Sequence, residues 1–160
     1  MTIVKQILAD KGREVWSVRP DDSIYAALEV MAEKNIGAVL VMEGNRLVGI
    51  FSERDYARKI ILFGKASQDT PVKEAMTRRV IAVRADHDVE RCMALMTEKR
   101  IRHLPVMRED DVVGVISIGD VVKAMISEQA NKIQHLEDYI TTGHPEVAKL
   151  TEKVDERHEM

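Results

Sequence analysis

Ser52 and Asp55 stand three residues apart at the end of an apolar run, Gly49-Ile50-Phe51-Ser52-Glu53-Arg54-Asp55. A hydroxyl and a carboxylate at that spacing, where a strand-like run passes into a helix-like one, can hold the hydroxyl groups of a polar ligand. The same residue types are also preferred helix starts that need no ligand at all. What distinguishes this corner is that it recurs. About 65 residues later the chain reads Gly114-Val115-Ile116-Ser117-Ile118-Gly119-Asp120. Two equivalent strand-to-helix corners call for two equivalent sets of elements to position them.

Those elements are legible in the periodicity. Met1 to Arg13 predicts a short helix with Ile3, Ile7 and Leu8 on one side and Gly12 ending it, and Val15 to Val18 a short strand. Ser23 to Lys34 repeats Ile24, Ala27, Leu28 and Met31 at helical spacing, stopped by Asn35 and Gly37. Ala38 to Met42 and Leu47 to Phe51 flank the turn Glu43-Gly44-Asn45, a hairpin of two covered strands. A helix from Glu53 to Phe63 follows, with Tyr56, Ile60 and Phe63 as its apolar face. Beyond the polar connector Gly64 to Pro71 and a short helical turn at Val72 to Thr77, the order begins again. The second series is a strand at Val80 to Val83, a helix at Val89 to Lys99 and strands at Leu104 to Met107 and Val112 to Ile116. A long helix then runs from Gly119 through Ile126, Ile133 and Leu136 to Ile140, followed by a charged tail at Glu146 to Met160.

Val18 to Asp55 aligns on Val83 to Asp120 without a gap, with about a dozen identities that include Met31/Met96, Val41/Val106, Gly49/Gly114, Ser52/Ser117 and Asp55/Asp120. One strand–helix–strand–strand–helix unit cannot cover its own sheet. Two units packed about a pseudo-twofold axis can, and equivalent clefts then lie between them. The expected class is α+β (α/β-type), two β-α-β-β-α repeats related by pseudo-twofold symmetry. The expected division is 1–67 for the first repeat with the N-terminal helix, 68–128 for the second, and 129–160 for the helical extension and tail.

The bulk numbers exclude several classes. The 160 residues are 45% apolar and 32% charged, as in a globular protein. A net charge of −3 and 4% aromatics supply neither the electrostatics nor the stacking platforms of a nucleic-acid binder. No apolar run approaches the length of a membrane span, and the N-terminus lacks a signal layout, so a cytoplasmic protein is expected. The single Cys92, beside Met93 in a helical pattern, reads as a buried thiol and excludes an intramolecular disulfide. The five histidines lack metal-ligand spacing, and no metal is expected.

The strand order, the Gly-hydrophobic-x-Ser-x-x-Asp corner, Ile36-Gly37-Ala38, Ile101-Arg102-His103-Leu104-Pro105-Val106 and Met76-Thr77 together resemble a pair of cystathionine-β-synthase (CBS) domains. The likeness runs from Val4 to about Ile126. It implies clefts that bind adenosine-containing ligands (AMP, ADP, ATP, NAD or NADH) and association into disk-shaped homodimers. It also implies that Asp55 and Asp120 are ribose-binding carboxylates. In the first cleft the resemblance places Thr77, Val80 and Ile81 on the base and ribose side, with Ile50, Ser52 and Pro105. Arg54 and Arg58 join Arg102 and His103 from the second half to make a cation cluster suited to phosphate. In the second cleft, Trp16, Ser17, Ile36, Gly37, Ala38 and Ile116 would form an adenine slot beside Ser117 and Asp120. There Ile118 and Gly119 replace Glu53 and Arg54, and Lys123 is the nearest phosphate partner. An adenosine moiety, one end of a dinucleotide or an empty site are all open for it.

The function expected is a non-catalytic regulatory module that senses adenine nucleotides and signals to a partner protein by conformational change. The alternative is a structural dimerisation or adaptor protein with vestigial clefts, packing through the long C-terminal helix. No set of residues is arranged for turnover of the nucleotide.

Overall fold

The computed structural model describes residues 1–143; the expected charged tail lies outside them. Helix α1 (Val4–Lys11) leads to β1 (Ser17–Val18), α2 (Ile24–Lys34), β2 (Ala38–Glu43), β3 (Arg46–Ser52) and α3 (Glu53–Asp55). A short 3₁₀ turn at Val72–Glu74 precedes β4 (Val83–Arg84), α4 (Val89–Lys99), β5 (His103–Arg108), β6 (Asp111–Ser117) and α5 (Ile118–Asp138). Two three-stranded sheets result, ordered β1-β2-β3 and β4-β5-β6. In each, the short strand is parallel to the middle one, and the long pair is an antiparallel hairpin. The hairpins share their irregularity: the register shifts between Val41 and Met42 in one and between Val106 and Met107 in the other.

Local chemistry accounts for the helix ends. Ser23 Oγ accepts from the Ala26 amide at 3.0 Å, and Asp88 Oδ1 from the Arg91 amide at 2.7 Å, so both middle helices are capped by the turn residues before them. Both close on a left-handed residue, Asn35 (φ 52°) and Arg100 (φ 54°).

The expected helix from Glu53 to Phe63 differs in kind. After one α turn it becomes a π-helix at Tyr56–Ile61. The helix ends at Ile61, two residues short of the expected Phe63: Ile60 stays buried, but Phe63 lies in the turn beyond and is 74% exposed. The first strands of each repeat are also shorter than their apolar runs. Val80 and Ile81 lie outside β4, which pairs only with Val106 and Met107.

Strand alternation sorts β3 and β6 identically. Gly49 and Phe51 are buried on the core face, as are Gly114 and Ile116, while Ile50, Ser52, Val115 and Ser117 face the other way. Each core is then completed by a segment that precedes the other repeat. Val72, Ala75 and Met76 pack with Val18, Ile24, Met31, Val41 and Phe51 of the first repeat. Val4, Ile7 and Leu8 of α1 pack with Val83, Val89, Met96, Val106 and Ile116 of the second. The glycines make room for this exchange: a Cβ on Gly49 would fall 2.5 Å from Met76 Sδ, and one on Gly114 would fall 2.6 Å from Leu8 Cδ2.

Leu8 is 2% exposed, so Leu8→Ala is expected to cost about 2–5 kcal/mol in urea unfolding. Lys5→Ala, on the exposed face of the same helix, should stay within about 0.5 kcal/mol.

Candidate functional site

Both corners fold as capping boxes. Ser52 Oγ accepts from the Asp55 amide at 3.2 Å, and the Ser52 amide donates to Asp55 Oδ2 at 3.0 Å. Ser117 and Asp120 repeat the pair at 3.2 and 2.8 Å. Each corner is pinned to the preceding strand entrance: the Glu53 amide donates to the Gly37 carbonyl at 3.0 Å, and the Ile118 amide to that of Arg102 at 2.8 Å. Helix capping thus leaves room for a ligand-positioning role and does not compete with it. The cap holds the carboxylate in place.

The first corner opens into a cavity of about 800 Å³ between the halves. Ile50, Ser52, Arg54, Asp55, Arg58, Thr77, Val80, Ile81, Arg102 and His103 all line it, as the sequence suggests. Pro105 does not; it lies buried in β5, paired with Val115. Asp55 Oδ1 accepts from Thr77 Oγ1 at 3.4 Å and from Lys59 Nζ at 3.2 Å. Thr77 is held by exchanging backbone hydrogen bonds with Ile50, at 2.8 and 3.0 Å.

Arg79, Lys99, Arg100, Ile101, Ile118 and Gly119 also line this cavity and were not legible as site residues. Arg79 adjoins Val80 and Arg100 precedes Arg102 by two, so proximity to named positions was the available signal. With Arg54, Arg58 and Arg102 they form a cationic rim facing only Glu53 and Asp55 among carboxylates in the wall. Arg54 Nη1 reaches the Arg100 carbonyl across the halves at 2.8 Å. Such a site can accept ribose hydroxyls at its floor and phosphate oxygens at its rim.

The second cleft is smaller, about 240 Å³, and lined by Glu14, Trp16, Asn35, Ile36, Gly37, Ala38, Leu40, Ile50, His103, Val115 and Ser117. Trp16, Ile36, Gly37, Ala38 and Ser117 are therefore where they were expected. Ile116 is not: it is fully buried in the core, and the residue one position earlier, Val115, faces the cleft. Ser17 and Lys123 are exposed and line neither cavity.

Asp120 does not line the cavity either, and its carboxylate is bonded to Lys11. Lys11 Nζ donates to Asp120 Oδ2 at 2.6 Å and to the Val115 carbonyl at 2.9 Å. Val115 is the counterpart of Ile50, whose carbonyl is satisfied by the Thr77 amide. At the Val115 carbonyl an ammonium thus stands where the Thr77 amide stands in the first corner, while Asp55 has its own ammonium partner in Lys59. Burial pushes the Asp120 carboxyl up, but the bonds from Lys11 and Ser117 outweigh it and hold the group below the ordinary value. Trp16 is capped by the Lys34 ammonium, 4.2 Å from the ring centre.

Gly37, Ile50, His103 and Ser117 line both cavities, which therefore adjoin. His103 packs on Gly37, where a Cβ would lie 3.2 Å from its Cε1. Its imidazole is held below the usual 6.5, first by burial and then by the charge of Lys11. Among the described residues no group of three His, Cys, Asp or Glu is placed to hold a metal ion. Nor is any described helix long and apolar enough to cross a membrane. Cys92 is buried, and that burial pushes its thiol up to about 11, which disfavours the thiolate.

Two outcomes test this geometry. Lys11 lowers the pKa of both Asp120 and His103, so Lys11→Met should raise both in NMR titrations; an unmoved Asp120 would show that Lys11 does not hold it in solution. Because the folded Asp120 titrates below its unfolded value, its stabilising contribution is present above the ordinary carboxylate range and lost as pH falls through the lowered value. Arg100 occupies a left-handed position that its counterpart Asn35 fills at little cost, so Arg100→Asn should stabilise the fold by roughly 1 kcal/mol in urea unfolding.

Comparison with known proteins agrees with this architecture. The CBS domain family matches residues 4–62 and again 72–127. The mitochondrial CBS domain-containing protein CBSX3 of Arabidopsis thaliana is 39% identical over 153 residues, covering 89% of this chain and 74% of its own. The crystal structure of the CBS domain NE2398 is 50% identical, with a TM-score of 0.75 over 78% of this chain and 98% of that one. The CBS domain pair of protein MJ0100, in complex with 5′-methylthioadenosine and S-adenosyl-L-methionine, is 25% identical, with a TM-score of 0.70 over 80% and 98%. Two matched repeats, each built as a short strand, a helix, a hairpin and a capped Ser–Asp corner, place the chain in one family: it belongs to the CBS-domain proteins.

Proposed function

We propose that this chain is a regulatory module that binds a phosphate-bearing adenosine ligand in the cleft built on Asp55 and acts by binding, not by turnover. The observation that carries the reading is a single cavity in which Asp55, the Thr77 hydroxyl and a rim of arginines from both halves converge. The ribose diol would donate to Asp55, the base would lie against Val80 and Ile81, and Arg54, Arg58, Arg79, Arg100 and Arg102 would take the phosphates. AMP, ADP, ATP and NAD(H) all have this chemistry. The adenosine-containing ligands of MJ0100 support the class, though neither bears a phosphate.

The second cleft is read differently. Its carboxylate does not line the cavity and its wall lacks the cation rim, so one equivalent of nucleotide per chain is expected. A phosphate drawing arginines from both halves together would change how the halves sit. It does so only as far as the ligand binds the two arrangements with different affinity. A homodimer in the cytoplasm and an unidentified regulated protein complete the proposal.

Isothermal titration of ligand-free protein with AMP, ATP and NADH tests it. Binding near one equivalent is expected, weakened at least about tenfold by Asp55→Ala and little changed by Asp120→Ala. Absence of binding by any of the three at millimolar concentration would overturn the nucleotide reading.

A further inference from the structure

Helix α5 outgrows the body it starts on. Val121 is buried and Ala124 and Met125 pack on the second repeat's core, but every residue from 129 to 138 is exposed. A helical arm of this length is not stable in water by propensity alone. This one carries an apolar stripe: Val122 is 40% exposed, Ile126 64%, Ile133 57% and Leu136 62%.

The stripe has a heptad register. Ile126 and Ile133 fall at a; Val122, Gln129 and Leu136 fall at d. β-branched residues at a with leucine at d favour a parallel two-stranded coil. The flanking charges agree. Lys132 falls at g and Glu137 at the following e, so in an in-register parallel pair each Lys132 faces the partner's Glu137. A lipid surface fits poorly, because Lys132 is the only lysine or arginine between Ser127 and Asp138, against Glu128, Glu137 and Asp138.

We infer that the exposed arm of α5 pairs with the same arm of a second copy as a short parallel coiled coil. This does not rest on the nucleotide reading, and it gives the proposed homodimer a defined axis.

Full-length single variants Gln129→Cys and Leu136→Cys, mildly oxidised and run without reductant, test the pairing; Cys92 is buried and does not interfere. Both positions should give a covalent dimer, because d residues meet their own counterparts in a parallel pair. Cross-linking at only one position, as an antiparallel pair allows, or at neither, overturns the inference, even if the protein is dimeric. Sedimentation equilibrium supplies a second readout. Ile133→Asp should weaken self-association by roughly tenfold or more. Lys132→Glu should also weaken it, and adding Glu137→Lys should restore it. Unchanged association in Ile133→Asp, or no restoration in the charge-reversed pair, counts against the coil.

Discussion

The structure depends on a reciprocal exchange. Neither three-stranded sheet, with one strand only two residues long, can close its apolar face with its own helices. Each is finished by a segment lying before the other repeat: Val72 to Met76 closes the first core, and Val4 to Leu8 the second. The exchange ties the halves together by hydrophobic burial, the dominant favourable contribution to folding. It needs two bare backbones, at Gly49 and Gly114, over which Met76 and Leu8 press down.

The same exchange makes the two clefts unequal. The segment that closes the first core continues into Thr77, whose hydroxyl and amide complete the Asp55 corner without adding charge. The segment that closes the second core ends in Lys11, whose ammonium bonds the Asp120 carboxylate and the Val115 carbonyl. Each carboxylate has an ammonium partner, Lys59 on Asp55 and Lys11 on Asp120, but only the first cavity is rimmed by arginines and only its carboxylate lines the wall. His103 lies between the two, so the charge of Lys11 is felt on a side chain that both cavities share.

What the sequence by itself determined is what short-range physics encodes. The duplicated Ser–Asp corners, the hairpins and the two buried helix stripes all arise from interactions a few residues apart and recur in both copies. Most of the first cleft was legible for the same reason, since the family pattern is carried by those local runs. Where local pattern misleads, the error is local too. The local run places Ile116 in the cleft although period-two alternation sends it to the core and turns Val115 outward, and it extends a helix to Phe63 that ends at Ile61.

Only the tertiary structure decided which segment closes which core, and with it the state of the second cleft. Lys11 and Asp120 are 109 residues apart, and nothing in the spacing of either foretells the other. Arg79, Lys99 and Arg100 became part of a site only when the halves closed around it. Such contacts depend on which surfaces pack together across the whole chain, and so on the fold's global choice of how to bury its apolar area.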